Sequence, residues 1–233
     1  MTANQEVHDY YVNRSIDLGN TTFSCQNMIH FLDSLINLIT PEMPGQIARW
    51  GGSMAEWQAN VQTMRDFINA RCTDIQQGLV DCYQLNGPYN VVYKVEPDLS
   101  GTIKINSISP DAYPFSGIYY GGISTTLEAE SNDGWVFDHW ETLHHGMAPS
   151  LSDSLVTLTF TTGDTIVAHF VPPTQYPVVL LVDPPGTASI TYNADLHSSF
   201  PTTVERPAGS VDTLTVHPEM YYDFLHWELK YNT

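Results

Sequence analysis

A few side chains in this sequence could do chemistry by their type and spacing. His139 lies between Asp138 and Glu141, and His226 stands two residues before Glu228. A histidine beside carboxylates can ligate a metal or move a proton. Each of these histidines stands alone in its own stretch of chain, so a structural or surface role is the expectation. His144-His145 reads as a loop pair with adventitious metal affinity rather than a built site, and Arg65, Arg71 and Asp74 read as helix-surface charges. No glycine-rich phosphate loop, GxSxG, HExxH or CxxC pattern occurs. The sequence therefore predicts no catalytic, cofactor-binding or metal-ligating residue. Tyrosines offer one binding hypothesis. Tyr113, Tyr119 and Tyr120 cluster with Phe115, and Tyr222 follows Tyr221. Exposed tyrosines stack on sugars or line interfaces, so Tyr113, Tyr119, Tyr120 and Tyr222 are the candidate ligand contacts. At 12% aromatic content some tyrosines must fill cores, which ranks sugar binding below a spacer role.

Charge narrows the partners. Eight Lys and Arg face 26 Asp and Glu, a formal charge of −18 over 233 residues. Nucleic acid and anionic membranes need a cationic surface, so neither is an expected partner. Acidity that keeps an exposed protein soluble is the preferred reading, because no Asp-x-Asp-x-Asp-Gly calcium loop is present. There is also no apolar run long enough to span a bilayer. The first residues lack signal-peptide character. Either the protein is cytosolic or its true start lies upstream, and the second is preferred.

The elements that position these residues are set by an internal repeat. FDHWE (Phe137 to Glu141) and FLHWE (Phe224 to Glu228) place Trp140 and Trp227 87 positions apart. The same ungapped offset pairs Pro97 with Pro184, Ile103 with Ile190, Asn106 with Asn193, Pro114 with Pro201, Gly122 with Gly209 and Leu127 with Leu214. A fixed period identifies duplicated modules. The first copy runs 30 residues past its tryptophan and the second only six, so the second is expected to be truncated and the chain to be part of a longer protein. Phe137 and Trp140, three apart, face opposite ways on a regular strand. For both to enter one core a bulge must lie between them, and each copy is then expected to close around its own indole.

Before Gly87-Pro88 the chain has helix signals. Ser53 to Glu56 is a capping box, followed by Met54, Trp57, Val61, Met64, Phe67 and Ile68 on one face. Thr73 to Gln76 repeats the box ahead of Ile75, Leu79 and Tyr83. Met28, Phe31, Leu32, Leu35 and Ile39 define another helix with Ser24 as its cap, Thr40-Pro41 reads as a helix N-cap followed by proline at the first helical position, and Gly51-Gly52 breaks the chain between helices. Such short helices are expected to need a packing partner upstream. After Gly87-Pro88 the period becomes 2, as at Val91, Tyr93 and Val95 or Ile103 and Ile105, and Val171-Pro172-Pro173-Thr174 reads as a linker. The expected class is α+β: a helical segment over 1–87, a first β-rich module over 88–171 and an incomplete second over 177–233. Cys25, Cys72 and Cys82 cannot all pair. Cys72 and Cys82 flank one predicted helix, about 15 Å apart, too far to bridge. Cys25–Cys72 stays open, with a buried free thiol favoured.

Two family resemblances follow. The stretch Tyr10 to Ser24 (YYVNRSIDLGNTTFS), Pro41-Glu42-Met43, Arg49-Trp50-Gly51-Gly52, Trp57 with Val61, and Phe67 to Arg71 (FINAR) resemble the late region of the spore-coat-protein-H-like (CotH) kinase family. Gly134-x-x-Phe137-x-x-Trp140 and Tyr221-x-x-Phe224-x-x-Trp227 resemble divergent internalin-type bacterial repeats. The first resemblance implies the end of a kinase-like domain whose ATP and divalent metal would be held upstream, so no cofactor is expected here. It makes that upstream domain a partner; Arg14 and Asp17 could shape the end of its lobe, but a structural pairing is the preferred reading. The second implies an extracellular or cell-surface bacterial protein, with repeats that act as spacers or adhesive modules and could meet a surface glycan or protein.

Overall fold

A computed structural model describes residues 4–230, and these form two compact units that divide between Val171 and Pro172. The class is mixed α+β, with helices first and β-structure after.

In the first unit, α1 (Gln5–Asn20) starts at Asn4, whose side chain accepts from the N–H groups of Glu6 and Val7. Helix α2 (Cys25–Ile39) has Ser24 as its cap, as predicted, with the Asn27 N–H on Oγ at 3.3 Å. A 3₁₀ turn at Thr40–Glu42 leads to α3 (Met43–Trp50), which ends at Gly51 with a φ of 83°. Helix α4 (Met54–Tyr83) starts from the predicted capping box, Glu56 N–H to Ser53 Oγ at 3.2 Å. It then runs unbroken for 30 residues. The second capping pattern at Thr73 does not start a helix: within a continuous helix the Glu/Gln three residues on has no free N–H to satisfy. Asp33 of α2 pairs with Arg65 of α4. Cys25 and Cys72 form a disulfide, with Cα atoms 6.0 Å apart, and Cys82 is free and exposed. The expectation of a buried free thiol is thus corrected on both counts. The helical face read from sequence is covered only in part: Val61 is buried while Met64 and Phe67 stay exposed.

The β part of this unit has two sheets. One has strand order β3-β1-β7-β5, from β1 (Asn86–Glu96), β3 (Phe115–Gly121), β5 (Val136–Thr142) and β7 (Asp164–Val171). The other has order β2-β4-β6, from β2 (Gly101–Ile105), β4 (Thr125–Ser131) and β6 (Leu155–Leu158). Only β1 and β7 are parallel; the rest are antiparallel. Alternating residues of both sheets, including Val91, Tyr93, Ile103, Ile105 and Leu127, enter one core together with Val12 and Ile16 of α1. Trp140 is fully buried in that core, and its indole N–H donates to the Asp153 carbonyl at 2.9 Å. The pairing of β5 with β7 slips between Phe137 and His139, the predicted bulge, and brings the Phe137 and Trp140 rings to 5.3 Å.

In the second unit the strands are β8 (Gln175–Leu180), β9 (Ala188–Tyr192), β10 (Asp195–His197), β11 (Thr202–Pro207) and β12 (Leu214–Pro218). They form a β11-β8 pair and a β10-β9-β12 sheet. The offset holds at the level of hydrogen bonds. Asn106 N–H donates to the Thr126 carbonyl and its Oδ1 accepts from Thr126 N–H, each at 2.8 Å. Asn193 makes the same two bonds to Thr213, at 2.8 and 3.0 Å. Both asparagines adopt positive φ, which Asn tolerates and its amide then locks. Gly134 and Tyr221 also match, at φ 81 and 74. One expectation fails here. Residues 223–229, the counterpart of β5, form no strand, and Trp227 is 48% exposed. Burial of Trp140 depends on β5–β7 pairing, and no counterpart of β7 occurs among the described residues.

Candidate functional site

The proposed ligand tyrosines do not form one surface. Tyr119 and Tyr120 are 1% and 2% exposed, so neither ring offers a free face for a sugar, and this corrects their reading as contact aromatics. Tyr119 packs edge-on to Tyr93 at 5.5 Å and near Phe160 at 5.8 Å. Burial pushes both hydroxyls up, that of Tyr120 to about 12. Tyr113 is half-buried, and its hydroxyl accepts from Ile103 N–H at 2.6 Å and donates to the Ile103 carbonyl at 3.1 Å. It acts as a brace on β2. Tyr222, in the second unit, is 52% exposed and remains open to a ligand.

The histidines separate into a surface pair and a loop clamp. His139 and His169 stack at 4.5 Å across β5 and β7, with Asp138 Oδ2 2.7 Å from His139 Nδ1 and Glu141 Oε2 2.9 Å from His169 Nε2. Among the described residues no group of three or more His, Cys, Asp or Glu side chains could hold a metal ion. His145 lies 2.5 Å from buried Asp164 through Nδ1 and 3.2 Å from Thr161 Oγ1 through Nε2. The series Asp164, His145, Thr161 has the order of a nucleophile-activating triad. However, the Thr161 backbone N–H donates into Nε2 at 3.0 Å. That bond occupies the lone pair a general base needs and leaves the proton on Nδ1, facing Asp164. Burial raises the Asp164 carboxyl, but hydrogen bonds from His145 and the N–H groups of Leu143, Thr165 and His144 outweigh it and hold the group below its ordinary range. The cluster ties the 143–145 and 161–165 segments together.

The densest polar constellation joins α1 to the first repeat. Asp17 is fully buried and accepts from Ser107 N–H at 3.0 Å, Ser107 Oγ at 2.5 Å and Asn106 Nδ2 at 3.4 Å. Arg14 donates to Ser107 Oγ at 3.0 Å and to its carbonyl at 3.3 Å. Asn13 donates to the Ser124 carbonyl at 3.0 Å. Asn20 reads β3 as a neighbouring strand would: its Nδ2 donates to the Ile118 carbonyl at 2.8 Å and its Oδ1 accepts from Ile118 N–H at 2.7 Å. The free edge of β3 is thereby covered. Burial pushes the Asp17 carboxyl up, against the lowering effect of Ser107, Asn106 and Arg14. Of these residues, the sequence singled out Arg14 and Asp17, with a structural pairing as the preferred reading. Asn13, Asp17 and Asn20 share one helix face at i, i+4 and i, i+7, beside apolar Val12 and Ile16, and that mixed stripe was the available signal. Next to this seam, an apolar groove of about 410 Å³ is lined by Phe23, Met28, Phe67, Ile75, Leu79 and Tyr120.

Residues 94–173 match the sequence model of a family described as the divergent InlB B-repeat domain. The span covers the first copy from within β1 through β7, so the chain carries a β-repeat module of this bacterial type. The match does not reach the helices and gives the CotH resemblance no support. No curated protein and no solved structure matches the chain.

Proposed function

We propose that this chain is a non-catalytic part of a secreted or surface-exposed bacterial protein, in which tandem β repeats serve as spacer or adhesion modules and the helices end a CotH-type domain. The observation that carries this reading is the seam itself. Asn13, Arg14, Asp17 and Asn20 spend their hydrogen bonds on the backbone and side chains of the first repeat, so the polar stripe of α1 works as a rigid coupling between helices and repeat. The second copy lacks the matching features. Ser107, whose hydroxyl meets Asp17 and Arg14, corresponds to Ala194, and Gly117, where a Cβ would meet Asn20, corresponds to Val204, so the first repeat is shaped to receive α1 where the second is not. The Cys25–Cys72 bond supports an oxidising compartment. ATP, a divalent metal and the residues that hold them would belong to an upstream domain. Phosphotransfer assays on the chain with ATP and magnesium should give no turnover, and measurable transfer would refute the non-catalytic reading. The second reading, carbohydrate-binding modules on an extracellular enzyme, is favoured by the exposure of Tyr222. A glycan array tests it: selective binding lost on Tyr222→Ala would replace the spacer reading.

A further inference from the structure

Two phenols sit on the inner face of the β1–β3 pair without hydrogen bonds. In that register Tyr93 stands opposite Phe115, Val91 opposite Gly117 and Tyr89 opposite Tyr119, so these six residues share one face. With no side chain at Gly117 between them, Tyr93 and Tyr119 meet edge-on, ring centroids 5.5 Å apart. They are 0% and 1% exposed, and neither hydroxyl has a hydrogen-bond partner among the described residues. Buried polar atoms in that state are the exception in folded proteins, and ordered water is the usual partner. The pair lies on the side that receives α1. A Cβ added at Gly117 would stand 2.7 Å from the Tyr119 ring and 3.1 Å from the Asn20 amide. Burial pushes both phenols well up, and the Asp17 carboxylate adds to it, so both stay protonated and serve as donors at neutral pH. Asp17 has acceptor capacity to spare. Its Oδ2 takes the Ser107 N–H and Oγ, whereas among the described residues Oδ1 meets only Asn106 Nδ2, at 3.4 Å. The second repeat has no such pair: the counterparts of Tyr93 and Tyr119 are Leu180 and Arg206, and Leu180 fills its core without a polar atom.

We propose that the seam between α1 and the first repeat binds one internal water, which accepts from the Tyr93 and Tyr119 hydroxyls and donates to the Asp17 carboxylate. Water is the fitting occupant because two O–H donors and one carboxylate acceptor complement the lone pairs and protons of a single water. Through it β1 and β3 are tied to the carboxylate that already holds the Asn106-Ser107 turn. The site deepens the coupling role given above for α1 and rests on that reading.

The test is a crystal structure of the full chain at a resolution that shows ordered solvent, with urea unfolding of Tyr93→Phe and Tyr119→Phe beside it. One water is expected within about 3.2 Å of both hydroxyl oxygens, and it should be lost from the Tyr119→Phe crystal. Each substitution should lower the urea midpoint of the first unit. The double variant should lose less than the sum of the two, because both single variants break the same water's bonds. Removal of an idle buried hydroxyl would do the opposite and raise the midpoint. Hydroxyls bonded to each other or to Asn20 with no water between them would overturn the proposal. So would a higher midpoint in either single variant, or strictly additive losses. Asp17→Ala, Ser107→Ala and their double variant report on the coupling itself, so coupling there beside a dry Tyr93–Tyr119 pair would remove the water and leave the coupling reading in place.

Discussion

Replacing Asp17 with alanine gives the sharpest test of the helix–repeat coupling. The carboxylate is fully buried and accepts from Ser107 N–H at 3.0 Å, Ser107 Oγ at 2.5 Å and Asn106 Nδ2 at 3.4 Å. Its loss leaves the Ser107 N–H without that acceptor, at about 1–3 kcal/mol for a buried donor. A small void adds up to about 1 kcal/mol. Relief acts in the other direction, because burial already penalises the charged carboxylate and raises its pKa. The net expectation is a loss of about 2 kcal/mol, a substantial part of a typical stability. With a urea slope of about 2 kcal/mol per molar, the midpoint of the first unit should fall by roughly 1 M. The slope should stay the same, since the same surface unfolds. Ser107→Ala and the double variant complete a cycle, with a coupling of about 1 kcal/mol or more expected. Strictly additive losses, or an Asp17→Ala midpoint within error of the parent, would show that the Asp17–Ser107 contact does not help to hold α1 and would refute its coupling role.

The remaining expectations use the same unit. Trp140→Ala should cost about 3–5 kcal/mol and abolish cooperative unfolding of the first unit, whereas Trp227→Ala should cost under about 1 kcal/mol; equal losses by calorimetry would contradict the difference in burial. Gly117→Val, which copies Val204 of the second repeat, places a Cβ 2.7 Å from the Tyr119 ring and 3.1 Å from the Asn20 amide. It should cost about 1–3 kcal/mol, measured by urea unfolding, while an unchanged midpoint would mean that the helix does not sit this close. The two buried carboxyls should titrate with opposite signs. Asp164 is held below its ordinary 3.8, so its contribution is present above that value and lost as pH falls through the lower folded value, and the destabilisation by Asp164→Asn should shrink in acid. Asp17 is raised above 3.8, so its contribution is full below that value and declines as pH rises through the folded value, and the cost of Asp17→Asn should shrink toward neutral pH. Parallel pH profiles for the two variants would defeat both assignments. Thiol titration of unreduced denatured protein should find Cys82 alone; reduction should cost about 4 kcal/mol for a 47-residue separation, and three reactive thiols before reduction would rule out the bridge.

What was legible in the sequence follows from how local the encoding is. Asn106 and Asn193 carry their turn in one side chain, which both tolerates positive φ and closes the hydrogen bonds to Thr126 and Thr213. The Phe-x-x-Trp spacing forces a bulge because the strand period is two. Such features are encoded by neighbouring residues, so the repeat, the bulge of the first copy and the caps at Ser24 and Ser53 could be read directly. The docking stripe of α1 could not, because Asn13, Arg14, Asp17 and Asn20 resemble a solvated helix face until β3 and the Asn106-Ser107 turn are placed against them. The same limit hid the Cys25–Cys72 bond, which depends on α2 lying beside α4, and the burial of Tyr119 and Tyr120, which depends on Tyr93, Phe160 and α1. Trp227 shows the limit most directly. Its segment FLHWE is nearly the same as FDHWE and keeps the same ring geometry with Phe224, yet it is half exposed where Trp140 is buried. Local sequence sets the orientation of the indole, and a strand more than twenty residues away in the first copy sets its burial. A repeat of this kind therefore specifies its turns alone and its core only in company.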